Sequence, residues 1–320
     1  MSGLFDKRFL IFSGKGGAGK STAAAAAAVA AARRGKHVLI VEIGDDERIP
    51  SIFGNARKNG YAGGPVSSAR AGVPPIWSMC LTAREALREF AVRSVKFELF
   101  YEAIFENRVM RLFTTAAPGL DELTIMGKLE FMSRDAVEPA KHARFDLMIF
   151  DAPATGHGLA FFKVPLTAMS LARMGPLHSK AERMWHLVSD PARTAFNIVT
   201  LPEEMSVNES IDLYTASQAL GLPAGKLIVD AVHPDVFGSD EAMLRHAQAR
   251  VGVPADLDGR IARAALDAAV SSVARSQADR EMLAKLATAI PLERIVLPFI
   301  SAPRIGPADL ETLADSLDGF

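Results

Sequence analysis

A glycine-rich run near the N-terminus carries the most specific chemistry in this sequence. Gly14–Ser21 has the sequence GKGGAGKS, which fits the pattern G-x-x-x-x-G-K-[ST]. Glycines at this spacing let backbone N–H groups turn inward around phosphate oxygens. In such a loop the last lysine reaches the β- and γ-phosphates and the hydroxyl coordinates Mg²⁺. We therefore predict that Lys20 binds the phosphates of a nucleotide and that Ser21 is a ligand of Mg²⁺.

A second candidate for metal binding follows an apolar run in the middle of the chain. Asp151 comes directly after Leu147–Phe150 (LMIF), whose unbroken apolar character is typical of a strand inside a parallel sheet. An aspartate at the carboxyl end of such a strand can hold the coordination shell of Mg²⁺, usually through water. The alternative interpretation is an aspartate that caps a helix or a turn. The sequence thus predicts a metal site made of Ser21 and Asp151.

The elements around the glycine-rich run are those that a phosphate-binding loop requires. Residues 8–12 (RFLIF) predict a buried strand before the loop, and residues 21–34, which are alanine-rich and followed by Gly35, predict a helix after it. A second buried strand is predicted at 37–43. Because strand, helix and strand follow in this order, they imply a right-handed parallel unit. The helix N-terminus adds partial positive charge where phosphate would bind.

The rest of the chain extends this pattern to a whole α/β fold. We predict a doubly wound, mostly parallel sheet of the P-loop NTPase type. Residues 1–320 are predicted to form a single domain, in which helical insertions at 82–140 and 160–190 form a lobe. The first insertion opens with a capping box, Thr82-x-x-Glu85, and residues 54–75, rich in glycine, proline and serine, predict a long loop. Further strands are predicted at 145–151, 195–201, 226–232 and 294–300.

The composition bounds the class of protein. The chain has 320 residues, of which 49% are hydrophobic and 23% charged, so a sizeable core is expected and disorder is not. The net charge of -1 gives no general reason to expect a nucleic-acid partner. The longest apolar stretch, 23–32, is shorter than the ~20 residues that cross a bilayer, and the early strand leaves no room for a signal peptide. We expect a cytoplasmic protein that does not insert into a membrane.

The position of Lys15, directly after the first glycine, narrows the class. The string G-K-G-G-x-G-K-S resembles the deviant Walker A motif of the class that contains ArsA, MinD, ParA and the nitrogenase iron protein. Residues 151–157 (DAPATGH) resemble the D-x-A-P-T-G-H switch II of the ArsA family, with one residue missing or shifted. Residues 118–122 (PGLDE) and 199–203 (VTLPE) resemble two further segments of that family. The similarity covers residues 8 to about 232 and a C-terminal strand.

The resemblance implies a Mg²⁺-dependent ATPase that works as a homodimer, with ATP and Mg²⁺ as cofactors. It assigns to Lys15 a role across the dimer interface, where this lysine would touch the partner's nucleotide; the alternative is a solvated surface lysine. It also places Asp230 where the family often reads adenine with an asparagine. An aspartate can accept a hydrogen bond from the adenine amino group but cannot donate one to a ring nitrogen. The predicted nucleotide-binding residues are Gly14, Lys15, Gly16, Gly17, Ala18, Gly19, Lys20, Ser21, Thr22 and Asp230.

The sequence departs from the family after the second strand. The family usually has D-T-D-P-A there, and the second aspartate orients the attacking water. Here residues 42–46 are EIGDD, and the catalytic position falls on Gly44. Asp45 takes over if the loop shifts by one residue, so our candidate catalytic residues are Lys15 and Asp45. In the alternative interpretation Asp45 and Asp46 are exposed turn acids, and hydrolysis is slow or depends on a partner.

Two functions are compatible with this resemblance. In the first, ATP closes the dimer and two helical lobes form a groove for a hydrophobic helix of a client or a membrane-associated protein partner. In the second, a MinD- or ParA-like regulatory or positioning ATPase acts on a soluble protein partner. The groove could be lined by apolar residues that could equally form the core of the lobe: Phe90, Phe97, Phe100, Phe105, Phe113, Phe131, Met169, Met174 and Met184.

Other features exclude related functions. The tail at 307–320 is acidic and lacks basic residues, which argues against a membrane-binding helix, and Arg33-Arg34 is a weak basic patch for DNA. The chain has one cysteine, Cys80. A single thiol does not match the cysteine sites of the arsenite-activated, zinc-sharing or iron–sulfur members of the class. An ATP-dependent ligase or kinase would need a second substrate pocket, of which the sequence gives no sign.

Overall fold

The computed structural model describes residues 3–68, 72–95, 119–134, 145–236, 241–250 and 257–320. These residues form an α/β fold in which helices cover both faces of one sheet. The strands are β1 (Phe9–Gly14), β2 (Val38–Ile43), β3 (Gly64–Pro65), β4 (Trp77–Leu81), β5 (Leu147–Asp151), β6 (Thr194–Thr200), β7 (Ala224–Val232) and β8 (Arg294–Pro298). The helices are α1 (Lys20–Arg33), α2 (Ile49–Ile52), α3 (Ala83–Val95), α4 (Leu120–Met132), α5 (Thr155–Leu171), α6 (Pro176–Ser189), α7 (Glu204–Leu220), α8 (Glu241–Arg250), α9 (Leu257–Ala289) and α10 (Pro307–Asp315).

The strand order places β1 in the middle of the sheet. The order is β3-β4-β2-β5-β1-β6-β7-β8, and all described pairs are parallel except β3 with β4. The carboxyl ends of β1, β2, β5, β6 and β7 therefore meet at one edge of the sheet. Ligands of open α/β sheets bind at this edge, where the strand order reverses. The predicted doubly wound, mostly parallel α/β class is confirmed.

Alternation along β1 divides the core into two layers. Leu10 and Phe12 face α1 and α10, whereas Phe9 and Ile11 face the layer that contains α4, α5, α6, α7 and α9. Both layers consist mainly of buried apolar side chains, so the central strands β1 and β5 are apolar on both faces over most of their length. The run Ala23–Ala28 of α1 is fully buried, and its small side chains let the helix approach the sheet closely. This packing fixes the N-terminus of α1 beside the end of β1.

The segment after β2 differs most from the sequence-based expectation. The predicted loop at 54–75 contains the short strand β3, and the strand β4 that follows it was not predicted. β4 is short and interrupted by Ser78, so its extended backbone depends on pairing with β2. The capping box is confirmed in part, because the backbone N–H of Glu85 donates to Thr82 Oγ1 at 3.3 Å and α3 begins at Ala83.

The predicted helical lobe is only partly visible in the described residues. α3 and α4 belong to the first predicted insertion, of which 96–118 and 135–144 lie outside the described residues. In the second, Phe161 and Phe162 of α5 pack against Phe150 of the sheet. The division into one domain with a lobe stays a prediction. None of the described helices has the length and apolar character that crossing a membrane requires.

Candidate functional site

The glycine-rich run forms a loop between β1 and α1. Gly19 precedes the helix with a left-handed φ of 82°, and no side chain caps the helix N-terminus. The backbone N–H of Ala18 donates to Lys15 O at 3.2 Å, which tightens the turn. The uncapped N–H groups at the start of α1 are donors for an anion, and the helix dipole favours negative charge there.

Two glycines of the loop touch neighbouring strands so closely that no side chain fits. A Cβ atom on Gly14 would lie 2.0 Å from Val199 O of β6, and one on Gly19 would lie 1.8 Å from Asp230 Oδ2 of β7. Gly17 has open space around its Cβ position. The loop is thus held against β6 and β7 at both ends, while its middle is open to a ligand.

Lys20 folds back over this loop. Its Nζ donates to Gly14 O at 3.2 Å and to Lys15 O at 3.0 Å. Burial lowers the pKa of Lys20; the charge of Asp151 opposes that shift, and the charge of Arg48 adds to it. A partly buried ammonium whose described acceptors are neutral carbonyls gains a stronger partner when a phosphate enters the loop.

Ser21 and Asp151 are brought together from sequence positions 130 residues apart. The Ser21 hydroxyl donates to Asp151 Oδ2, while Asp151 Oδ1 is buried and has no hydrogen-bond partner among the described residues. Burial raises the pKa of Asp151, and the Ser21 hydrogen bond and the charge of Lys20 oppose the shift. A hydroxyl beside a carboxylate with an unsatisfied oxygen is the oxygen-rich ligand set that Mg²⁺ prefers. The residues therefore fit the predicted metal.

Lys15 is paired within its own chain. Its Nζ lies 3.0 Å from Glu209 Oε1 of α7, and the two side chains are 26% and 37% exposed. The predicted role of Lys15 across a dimer interface stays a prediction. The switch II run continues from Asp151 into α5, and Ala154 Cβ would be 3.7 Å from a Cβ on Gly16. The side chains of residues 155–158, including His157, lie outside the described part of the chain.

The loop after β2 is organised by a buried acid that sequence reasoning missed. Glu42 is 4% exposed and accepts hydrogen bonds from the backbone N–H groups of Arg48 and Ile49 at 2.9 and 3.1 Å. Burial raises the pKa of Glu42 to about 7. Asp45 is exposed, and its backbone O accepts from Lys58 Nζ at 3.3 Å. The signal for Glu42 was an acid inside the apolar strand VLIVEI. The catalytic role of Asp45 stays a prediction.

Asp230 lies at an irregularity in β7. Its Oδ1 accepts from the N–H of Ala231 at 2.9 Å, and Ala231 has a φ of 57°, which is unusual for a residue with a side chain. The register between β7 and β8 shifts between Val229 and Val232. The carboxylate of Asp230 lies against Gly19 of the phosphate loop. Burial raises the pKa of Asp230 to about 6.

The pKa of Asp230 predicts how an Asp230→Asn variant changes stability with pH. Between pH 3.8, the ordinary pKa of an aspartate, and about pH 6, the folded state keeps a proton that the unfolded state releases. The free energy of unfolding therefore falls as pH rises through this range and stays low above pH 6. At about 1.4 kcal/mol for each pKa unit, ionised Asp230 costs on the order of 3 kcal/mol. Asparagine keeps the acceptor and removes the charge. We expect Asp230→Asn to raise the free energy of unfolding at pH 7.5 and to have little effect at pH 4.

Urea unfolding of the wild-type protein and the variant at the two pH values measures this difference. Asp212→Asn, which changes an exposed aspartate of α7, is the matched control and should change little at either pH. Equal free energies of unfolding for wild type and Asp230→Asn at pH 7.5 would contradict the prediction.

The fold and the loop together define the class of this protein. The structure has the parts of a P-loop nucleoside triphosphatase. These are a central parallel strand, a glycine-rich loop over which its lysine folds back, and a hydroxyl beside an aspartate at the end of a strand. The sequence matches the family of anion-transporting ATPases, the ArsA family, over residues 7–177 and 169–251. The chain belongs to this family, as its motifs predicted.

Several curated proteins are similar to the chain. ATPase BagA of Mycobacterium tuberculosis is 28% identical over 236 residues, which are 72% of this chain and 66% of that protein. ATPase GET3C of Arabidopsis thaliana is 24% identical over 73% of this chain and 69% of its own length. The arsenical pump-driving ATPase of Escherichia coli is 26% identical over 78% of this chain and 45% of its own length. The chain thus spans just under two thirds of the first of these relatives and less than half of the last.

Proposed function

We propose that this protein is a Mg²⁺-dependent ATPase that works as a nucleotide-switched homodimer and couples ATP to the handling of a hydrophobic client. The observation that carries the proposal is the pairing of Ser21 with Asp151 beside Lys20, which leaves a buried carboxylate oxygen without a partner among the described residues. Membership of the ArsA family and the ATPases among the relatives support the hydrolytic activity.

The residues of the loop divide the work of binding ATP. Backbone N–H groups of Gly14–Ser21 and the N-terminus of α1 surround the phosphates, and Lys20 exchanges its carbonyl partners for the β- and γ-phosphate oxygens. Ser21 and Asp151 would hold Mg²⁺, which neutralises phosphate charge when it is bound. Asp230, against Gly19 at the end of β7, would face the base. Gly16, Gly17, Ala18 and Thr22 complete the proposed nucleotide site.

Dimer formation would have to release Lys15 from Glu209. Both side chains are partly exposed, and a salt bridge of this kind contributes about 0–1 kcal/mol. A phosphate group of a partner's nucleotide is a more strongly charged acceptor than one carboxylate. Releasing Lys15 from Glu209 therefore costs little free energy, and the contact with the partner's nucleotide that replaces it is stronger. An interface controlled by nucleotide binding requires this difference.

A group of exposed apolar side chains supports the proposal of a hydrophobic client. Leu171 and Met174, between α5 and α6, are 81% and 84% exposed, and Leu177 and Phe90 are about half exposed. Lys180 of α6 lies 4.1 Å from the ring of Phe90, so these residues of α3, α5 and α6 share one region, which we call the apolar rim. Of the other predicted groove residues, Met184 is buried, Phe131 and Met169 are partly buried, and Phe97, Phe100, Phe105 and Phe113 lie outside the described residues.

The proposal predicts that Lys15→Ala uncouples nucleotide binding from dimer formation. In the wild-type protein, a non-hydrolysable ATP analogue should shift sedimentation from monomer to dimer and increase the fluorescence of a hydrophobic dye, whereas ADP should do neither. In Lys15→Ala the analogue should still bind, but the dimer and the dye signal should be lost because the cross-interface contact is missing. Sedimentation velocity and dye fluorescence on the same samples measure both effects.

Lys285→Ala is the matched control, because Lys285 also contacts α7, through Asn208 at 2.7 Å. It should leave dimer formation unchanged. Dimerisation of Lys15→Ala at the wild-type level would mean that Lys15 does not act across the interface. A dimer without any rise in dye fluorescence would contradict the proposed hydrophobic client and favour a regulatory ATPase that acts on a soluble partner. Proteins retained from a lysate only with the ATP analogue would then identify that partner.

A further inference from the structure

The loop after β2 carries a second cation toward the phosphate site. Arg48 lies at the N-terminus of α2, and its backbone N–H is held by the buried carboxylate of Glu42. β2 is the neighbour of β5, and Val41 pairs with Phe150, so Glu42 and Asp151 end adjacent strands. The backbone of Arg48 is therefore anchored at the sheet edge where Ser21, Asp151 and Lys20 meet.

Because Glu42 lies beside Asp151 and holds the backbone of Arg48, the side chain of Arg48 begins close to this site. Its charge lowers the pKa of Lys20 and opposes the raised pKa of Asp151, and these two residues are central to the proposed ATP site. Its described ion-pair partner is Asp46, at 3.9 Å from Nε, and the side chains of the pair are 66% and 84% exposed. A pair this long and this exposed contributes little, so the guanidinium is able to turn toward a stronger acceptor at small cost.

The residues around Arg48 indicate what a cation contributes at this site. Gly44 stands where the family has the aspartate that orients water, and Asp45, the candidate to replace it, is exposed. Glu42 and Asp151 are close enough at this edge that the charge of Asp151 raises the pKa of Glu42, and a triphosphate bound there adds further negative charge. An arginine supplies planar donors that match a phosphate group and stays charged throughout the reaction.

We propose that Arg48 is a catalytic residue, which contacts the γ-phosphate of ATP from within its own chain and stabilises the charge that develops during hydrolysis. In this step water attacks the γ-phosphorus, and the bond to the β–γ bridging oxygen breaks. ADP and inorganic phosphate are formed, and the proton of water passes to solvent. Arg48 neither gains nor loses a proton. This inference rests on the proposed ATP site and adds to it a cation from the loop after β2.

Arg48→Ala and Arg48→Lys test the proposal in two readouts. We expect Arg48→Ala to lower kcat by about 100-fold, as the loss of one charge-stabilising donor does, while KM for ATP and the affinity for ADP change little. Adding aluminium fluoride to ADP and Mg²⁺ mimics the transferring phosphoryl group and should strengthen binding in the wild-type protein. This gain should disappear in Arg48→Ala and return in part in Arg48→Lys. Because Glu42 binds the backbone of Arg48, the loop keeps its anchor in both variants.

The controls separate failure of this inference from failure of the proposed function. Arg57→Ala changes an exposed arginine of the same connection and should retain both kcat and the gain from aluminium fluoride. Wild-type kcat in Arg48→Ala, or an undiminished gain from aluminium fluoride, would reject Arg48 while leaving the ATP site intact. If turnover is too slow to measure, the gain in ADP binding from aluminium fluoride decides whether Arg48 contributes. Unchanged ATP binding in Lys20→Ala, measured in parallel, would instead reject the ATP site itself.

Discussion

Lys20→Ala is expected to abolish nucleotide binding and turnover. Lys20 Nζ donates to two carbonyls of its own loop, so the lysine is already placed above the proposed phosphate site. Its contacts with two phosphates are charge-assisted, and each contributes roughly 1.5–3 kcal/mol. Their loss weakens ATP binding by roughly 3–6 kcal/mol, which is about 100- to 20,000-fold. Titration with a fluorescent ATP analogue and an assay of phosphate release measure binding and turnover.

The fold should survive this substitution. Burial lowers the pKa of Lys20, which means that the folded protein pays for holding the ammonium there, and alanine removes that penalty. We therefore expect the free energy of unfolding of Lys20→Ala to equal or exceed that of the wild-type protein. Lys58→Ala, which changes an exposed lysine near Asp46, is the control and should bind and hydrolyse ATP normally. Full activity in Lys20→Ala would overturn the assignment of the phosphate loop.

Gly14→Ala is expected to be the most destabilising single substitution in the loop. Gly14 has a φ of 156°, and an added Cβ would lie 2.0 Å from Val199 O, a backbone atom of a central strand that cannot move alone. Forcing extra volume into packed structure costs about 1–3 kcal/mol, and a strained backbone adds about 1–3 kcal/mol. We expect a loss of roughly 2–6 kcal/mol in the free energy of unfolding, measured by urea denaturation.

Gly17→Ala separates the two contributions in this prediction. Gly17 also has a positive φ, of 84°, but its Cβ position has nothing within 4 Å. Only the backbone strain remains there, so we expect a loss of about 1–2 kcal/mol. Equal losses of unfolding free energy in Gly14→Ala and Gly17→Ala would show that the contact with β6 does not exclude a side chain at Gly14. The loop would then be held less tightly than the distances indicate.

The fold class and most of its strands could be predicted from the sequence, for a local reason. Strands that are buried on both faces are apolar at every position, as in Phe9–Phe12 and Leu147–Phe150, so their pattern does not depend on distant residues. The glycine-rich loop is also local, because its turns need glycine at fixed spacing. β4 was missed because Trp77–Leu81 is short and mixed in polarity, and it becomes a strand through pairing with β2.

The electrostatics of the site could not be predicted in the same way. Glu42 was taken only as one of several acids after the second strand, because nothing in the sequence shows that its carboxylate is buried and binds two backbone N–H groups. Lys15 was assigned to a partner's nucleotide by resemblance, and its contact with Glu209 joins residues far apart in the chain. Arg48 was not singled out, since its charge matters only through its position relative to Lys20 and Asp151.

The sequence by itself determined the parallel α/β fold, the phosphate loop and membership of the ArsA family, because each strand pattern and each motif that indicates them lies within a short segment. The tertiary structure decided which distant groups share the sheet edge: Ser21 with Asp151, Gly19 with Asp230, and Arg48 with Lys20. It also shifted the pKa values of groups at this edge, because burial raises the pKa of Glu42 and Asp230 and lowers that of Lys20. The physical reason is that solvation and Coulomb interactions depend on distance in space, which the order of residues along the chain does not give.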